Sequence, residues 1–144
     1  MNETIRKFGY PDTLIAEYRH WVVLLRPQQV TLGALVLASK DRARQFHEVT
    51  AAGFTELHTV IGHIERALPT LVAYQKLNYL MLMMVDPDVH FHVIPRYDSP
   101  ARFDGRAYPD QGWPGPPALA QFTETDTATR AAIVRQLKQA WPGL

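Results

Sequence analysis

The fold is decided by the stretch Asp88–Arg96, whose sequence is DVHFHVIPR. Side chains alternate between the two faces of a β-strand, so Asp88, His90 and His92 share one face. The residues between them are apolar, and the pattern predicts that they face the core. Core packing alone does not place a polar side chain at each of these positions on one face of a strand that is otherwise apolar.

This polar face has three interpretations. The simplest is a solvated strand face that holds two histidines and has no chemical role. Two imidazoles and a carboxylate are also the ligand set of non-haem iron centres, although one strand seldom provides all three ligands. In the third interpretation a neutral His90 attacks phosphorus as a nucleophile, while its neighbours fix its tautomer and hold phosphate oxygens. The residues of this strand leave all three open.

Further short apolar runs flank this stretch and predict an antiparallel sheet of about five strands. Leu14–Tyr18, Trp21–Leu25 and Leu35–Ala38 follow one another closely, which favours an antiparallel meander. Leu77–Val85 is apolar on both faces of the predicted strand, which predicts a central strand. The gap from there to Val89–Pro95 is short enough for a hairpin.

Two helices are predicted beside the sheet. Apolar residues recur at three- and four-residue spacing over Phe54–Leu68, and Pro69 ends that pattern. Residues 98–122 are rich in proline and predict an extended, irregular segment that Tyr108 and Trp113 anchor. Residues 123–141 predict a C-terminal helix, with Thr123 and Asp126 as a capping box. The chain is therefore interpreted as one α+β domain over residues 1–144, with a common core of about 14–97.

Composition narrows the class of protein. The chain has 47% hydrophobic and 20% charged residues, a net charge of +1 and no cysteine. These values favour a soluble globular protein, exclude disulfides and thiolate catalysis, and give no general attraction to nucleic acid or membranes. The polar start of the chain has no signal-peptide pattern, and Leu77–Val85 is too short to span a bilayer. We therefore expect a cytoplasmic protein.

The stretch His90–Arg96 resembles the end of the histidine triad (HIT) motif, in which histidines alternate with apolar residues and Pro-Arg often follows. In this register His92 matches the third histidine and His90 matches the middle one. The order of strands, helix and loops over Leu14–Tyr97 also resembles that superfamily. The resemblance implies that His90 attacks an α-phosphate and forms a nucleotidyl-histidine intermediate, which water resolves.

Four positions depart from the family pattern. Asp88 stands where the first histidine is expected, and a carboxylate repels a nearby phosphate. Ala34 stands in place of a histidine that supports the nucleophile. Asp86-Pro87 is expected almost to abolish the glycine-rich loop that cradles an anion before the triad. Arg26 lies where an acidic or amide residue commonly meets the ribose.

The resemblance thus implies a nucleotide phosphohydrolase or nucleotidyl transferase for dinucleoside polyphosphates or nucleoside phosphoramidates, without cofactor or metal. The alternative is a catalytically silent nucleotide-binding or interaction module of the same fold. A homodimer joined through the main helix and an edge strand is expected, with a small nucleotide as ligand and no nucleic-acid or membrane partner. The candidate residues are, for catalysis, His90, His92 and Asp88 and, for substrate binding, Arg26, Asn78 and Arg96.

Overall fold

The computed structural model describes residues 1–143. Three α-helices and seven β-strands lie in this part of the chain. The helices are α1 (Glu3–Lys7), α2 (Ala51–Ala67) and α3 (Thr127–Ala140). The strands are β1 (Leu14–Glu17), β2 (Trp21–Leu25), β3 (Leu35–Ser39), β4 (Lys76–Leu80), β5 (His90–Arg96), β6 (Ala101–Phe103) and β7 (Arg106–Tyr108).

The main sheet has five strands in the order β1-β2-β3-β5-β4, and every neighbouring pair is antiparallel. The predicted meander, the hairpin-like pairing of β4 with β5 and the α+β class are confirmed. The prediction for Leu77–Val85 is wrong in two respects, because β4 lies at the sheet edge and ends at Leu80. Its apolar continuation leaves the sheet, and Met83 adopts a left-handed φ of 54° there.

The two faces of this sheet are covered differently. On one face, α2 and α3 pack against the strands, and the main apolar core lies there. On the other face, Ile5 of α1 packs with Val22, Val36 and Ala38 in a smaller cluster. The histidines of β5 lie on this second face, because Ala38 pairs with His90 in the sheet register. The fold therefore places them beneath the N-terminal helix.

Helix α2 begins earlier than its periodic pattern, at Ala51, because the Thr50 side chain accepts a hydrogen bond from the Gly53 amide and caps it. Leu57 and Ile64 of its apolar stripe are buried in the core as predicted, whereas Phe54 is exposed, and the helix ends just before Pro69. The first turn carries no large apolar residue, so periodicity alone did not reveal it.

The C-terminal helix is confirmed, but it begins at Thr127 rather than at Thr123. The predicted capping box is wrong, because Asp126 is itself the N-cap and accepts a hydrogen bond from the Thr129 amide at 2.7 Å. Thr123 instead forms an isolated antiparallel bridge with Gln29. A polar residue close before a helix is a weak guide to which residue caps it.

Two features were not predicted. Helix α1 is too short for a periodic pattern, and the proline-rich residues 98–122 contain the small hairpin β6–β7. Tyr108 anchors that segment as expected: it is fully buried, and its carbonyl accepts a hydrogen bond from the Tyr97 hydroxyl. Within residues 1–143, no helix combines the length and the apolar character that a bilayer crossing requires.

Candidate active site

His90 and His92 lie side by side on one face of β5. Their ring centroids are 5.2 Å apart, and the rings expose only 2% and 7% of their surface. In the sheet register His90 pairs with Ala38 and His92 with Val36, so the neighbouring strand offers them only apolar side chains. The alternation predicted from the sequence is therefore present, and it buries both imidazoles.

A backbone carbonyl fixes the orientation of His90. The Nδ1 atom of His90 lies 2.7 Å from the carbonyl oxygen of Asp88. Because a carbonyl oxygen only accepts hydrogen bonds, Nδ1 must carry the proton in this contact. In the neutral ring the lone pair is then on Nε2. The arrangement gives His90 the tautomer that a nucleophilic imidazole needs.

In the described part of the chain, the Asp88 side chain forms no hydrogen bond with His90. Its Oδ2 accepts hydrogen bonds from the Thr4 hydroxyl at 2.9 Å and from the Thr4 amide at 3.3 Å, and the Asp88 amide donates back to the Thr4 hydroxyl. Arg44 Nε lies 3.9 Å from Oδ1. The side chain was expected to orient His90, but the backbone of Asp88 does so, while its carboxylate anchors helix α1.

His92 is held in its neutral form. Its pKa falls to about 4, mainly because of burial and in part because Arg26 and His90 lie nearby, against an opposing effect of Asp86. Its Nδ1 is buried and has no hydrogen-bond partner among residues 1–143. A buried polar atom without a partner is uncommon in folded proteins, and it marks a place where a ligand is able to bind.

Both histidines line a cavity of about 260 Å³. Helix α1 and the residue after it contribute Lys7 and Phe8, the turn after β2 contributes Arg26, and the segment 82–86 forms another wall. The cavity thus combines two cations with an apolar wall. This mixture suits a ligand that carries both an anionic group and an apolar group.

The loop before β5 is longer than predicted. Asp86-Pro87 was expected almost to abolish it, and this prediction is wrong, because β4 ends at Leu80 and β5 begins at His90. The loop is built from bulky residues instead of glycine. Met84 and Val85 are 84% and 81% exposed beside the cavity.

Arg26 reaches the cavity, as predicted for a substrate-binding residue. Its Nη1 donates to the Gln28 carbonyl at 2.7 Å, but its Nε is buried without a hydrogen-bond partner in the described residues. Burial lowers its pKa from the ordinary value, which reflects the cost of removing this charge from water. Arg26 is therefore half-buried, cationic and incompletely bonded.

Asn78 and Arg96 are brought to each other, and not to the histidines. Arg96 Nη1 donates to Asn78 Oδ1 at 2.8 Å. Arg96 also bonds Asp110 through Nε and Nη2, and the Gly115 carbonyl through Nη2. Four residues of extended strand separate Arg96 from His92, which is about 13 Å. Arg96 therefore ties the proline-rich segment to the sheet, and Asn78 supports it from β4.

The sequence interpretation missed Phe8 and Lys7. The Phe8 ring centroid lies 5.9 Å from that of His90 and 5.8 Å from that of His92, and Lys7 forms an ion pair with Asp86 at 2.7 Å. The only local signal was Asn2, a favoured N-cap residue whose side chain accepts from the Ile5 amide.

Solved structures of histidine triad proteins have the same architecture. One from Bradyrhizobium japonicum superposes with a TM-score of 0.75 at 20% identity, over 98% of this chain and 96% of that chain. One from Marinobacter aquaeolei VT8 gives 0.75 at 20% identity, over 98% and 94%. The chain has the histidine triad fold. A hypothetical histidine triad nucleotide-binding protein from Sulfolobus tokodaii strain7 gives 0.67 at 18% identity, over 95% and 88%. No family model and no curated protein matches the sequence.

The structure shows the surroundings of two residues that depart from the motif in this version of the histidine triad fold, Ala34 and Asp88. Ala34 is fully buried in an apolar cluster with Val30 and Ile94, so no polar group supports the histidines from that position. Asp88 bonds helix α1, as described above. In residues 1–143 no group of three or more histidine, cysteine or acidic side chains is arranged to hold a metal ion.

Proposed function

We propose that this chain is a nucleotide phosphohydrolase or nucleotidyl transferase that acts at an α-phosphate, with His90 as the nucleophile. The observation that carries this proposal is the contact between His90 Nδ1 and the Asp88 carbonyl, which leaves the Nε2 lone pair free on a ring that lines a cavity. A solvated strand face does not explain two nearly buried imidazoles beside two cations.

The proposed reaction has two steps. His90 Nε2 attacks the α-phosphorus, a P–N bond forms, and the bond from phosphorus to the leaving group breaks. The leaving group keeps that electron pair and takes a proton from solvent. Water then attacks phosphorus, the P–N bond breaks, and its electron pair returns to Nε2 while the proton of water passes to solvent. The products are a nucleoside monophosphate and the free leaving group.

The other groups around the cavity stabilise charge. Lys7 lines it, and its positive charge attracts the phosphate oxygens on which negative charge accumulates. His92 is neutral at pH 7 because its pKa lies at about 4, so it offers one N–H to a phosphate oxygen rather than a positive charge. Catalysis of this kind relies on positioning and on fixed charges more than on proton transfer.

The nucleotide part of the proposal rests on the likeness to the histidine triad fold. The Sulfolobus tokodaii neighbour is a hypothetical histidine triad nucleotide-binding protein. The resemblance of His90–Arg96 to the triad motif adds the α-phosphate and the covalent intermediate. Dinucleoside polyphosphates and nucleoside phosphoramidates are the substrates to test first.

A silent binding module of the same fold is the second candidate. It is favoured by Ala34, which offers no hydrogen bond to the nucleophile, and by Asp88, which adds a carboxylate near it. Such a module would bind nucleotides through the same cavity without turning them over.

The two candidates are separated by steady-state kinetics on a fluorogenic nucleoside phosphoramidate and a dinucleoside polyphosphate. His90→Ala should lose kcat/KM by about a thousandfold or more, as removal of a nucleophile does. The matched control is His58→Ala, an exposed histidine of α2, which should keep the wild-type value. Unchanged turnover in His90→Ala would refute the mechanism. Saturable nucleotide binding by the wild type without turnover over hours would establish the silent module.

A further inference from the structure

A second cavity lies beside the histidine cavity. Its volume is about 250 Å³, and it is lined by Lys7, Phe8, Arg26, Pro27 and Gln28. All of these except Pro27 also line the histidine cavity, so the two spaces share a wall. Neither histidine lines the second space.

The charges of the two cavities differ. The histidine cavity is lined by Asp86 as well as by the two cations, whereas the second cavity has Lys7 and Arg26 and no carboxylate among its lining residues. The ion pair of Lys7 with Asp86 is half exposed on the lysine side, and such pairs contribute little stability. Lys7 is therefore able to leave Asp86 and pair with an anion in the second cavity.

Among the described residues, Arg26 has no anionic partner in the second cavity. Among residues 1–143 no carboxylate forms an ion pair with Arg26. Within residues 1–143 its buried Nε has no hydrogen-bond acceptor, and its side chain donates only to the Gln28 carbonyl. A half-buried guanidinium without an acceptor is costly, and the cost is relieved when an anion binds its N–H groups.

We infer that the second cavity binds a second anionic group of the substrate, a phosphate or a carboxylate, between Arg26 and Lys7. This inference rests on the proposed function for the first anion, the phosphate that His90 attacks. It names the substrate class: a nucleotide with two separated anionic groups, one at His90 and one between Arg26 and Lys7. A nucleotide with a single anionic group leaves Arg26 unpaired.

The test measures binding by calorimetry, so it does not depend on turnover. The probes are AMP, ADP, adenosine 2′,5′-bisphosphate, adenosine 3′,5′-bisphosphate and an AMP phosphoramidate of glycine, whose second anion is a carboxylate. Binding of the glycine phosphoramidate is measured with the His90→Ala variant as well, which should not hydrolyse it. At least one ligand with separated anions should bind the wild type about tenfold more tightly than AMP, as expected for one charge-assisted hydrogen-bond pair. The probe that gains most identifies the second anion as ribose phosphate, β-phosphate or carboxylate.

Variants assign the effect to this cavity. Arg26→Gln should lose the advantage of the second anion while AMP binds nearly as before, and Arg26→Lys should restore part of it. Arg19→Gln is the matched control, because Arg19 is exposed in the turn at the opposite end of β2. The melting temperature of Arg26→Gln should equal or exceed that of the wild type, since an unpaired cation is removed.

The inference is overturned if no ligand with two anions binds the wild type more tightly than AMP, or if the advantage survives in Arg26→Gln. These outcomes are distinct from failure of the proposed function. If turnover did not require His90, the proposed mechanism would be refuted. Tighter binding of a ligand with two anions, lost in Arg26→Gln, would still show that the second cavity binds an anion.

Discussion

Two arginines on one face of the same sheet differ in how completely they are bonded. Arg96, in β5, exposes 4% of its surface and makes four hydrogen bonds, to Asp110, Asn78 and the Gly115 carbonyl. Arg26, just after β2, makes one side-chain hydrogen bond and buries an Nε without a partner. Both were predicted from the sequence to bind substrate.

The difference teaches how to distinguish a structural cation from a binding cation. A guanidinium whose donors are taken by the protein has little left to offer a ligand. A guanidinium that keeps a free donor inside a cavity pays a solvation cost that only a ligand relieves. The same contrast holds along β5 itself, where the histidine end has an unpartnered Nδ1 in His92 and the arginine end is saturated.

The largest expected effect is on stability, from Arg96→Met. The substitution leaves the Asp110 carboxylate, only 1% exposed, without its cation. Breaking a buried pair by removing one partner costs about 3–5 kcal/mol. Urea unfolding should show a loss in this range. Arg26→Met is the matched variant, and its free energy of unfolding should stay equal to or rise above the wild-type value. A similar loss of unfolding free energy in both variants would contradict the distinction between a structural Arg96 and a binding Arg26.

A smaller effect should appear in the pH dependence of stability, through His92. Its folded pKa of about 4 lies below the ordinary 6.5, so the unfolded chain binds more protons between these values. Stability should therefore fall as pH drops from about 6.5 to about 4. At 1.36 kcal/mol per pKa unit the loss due to His92 is roughly 3 kcal/mol.

The measurement compares unfolding free energies of wild type and His92→Gln at pH 7 and pH 4.5. The advantage of the wild type over the variant should shrink towards acid pH, and the control His58→Gln should follow the wild type. A difference that does not change with pH would mean that His92 is not held neutral by burial.

The smallest effect is expected for Thr4→Val, which preserves shape but removes both hydroxyl bonds to Asp88. Leaving a buried acceptor short of a donor costs about 1–3 kcal/mol. The His90 tautomer should persist in ¹⁵N NMR spectra, because the backbone there is held by Val89, which bonds Ser39 and Ala43. If the tautomer changed, Thr4 would have to act on the nucleophile through Asp88, and the Asp88 carbonyl alone would not suffice.

Much of the fold could be predicted because local patterns determine it. Alternation fixed the faces of His90 and His92, and three- and four-residue spacing revealed α2. Leu77–Val85 misled because an apolar run does not show where a strand ends, and Leu82–Val85 line a cavity instead of continuing the sheet. Helix α1 has five residues, little more than one turn, so an apolar helical pattern has no room to repeat in it.

The site was harder to predict than the fold, because its walls come from distant parts of the chain. His90, His92 and Arg26 were found, since strand alternation and the motif resemblance place them. Phe8 could not be found, because its place depends on a buried bond between Thr4 and Asp88 that links residues far apart in sequence. Arg96 was assigned to substrate because its partners in the proline-rich segment carry no recognisable pattern, and Asn78 proved to be bonded to Arg96. The homodimer and the cytoplasmic location stay predictions.

The measurement that tests the central claim most directly is intact-mass spectrometry after neutral quenching, with nucleoside phosphoramidate and dinucleotide substrates. Wild type and His90→Ala are compared, and the modified peptide is mapped. The account predicts a nucleotidyl adduct on the wild type, located on His90, and none on His90→Ala. An adduct on any other residue, or turnover by His90→Ala at the wild-type rate, would contradict it.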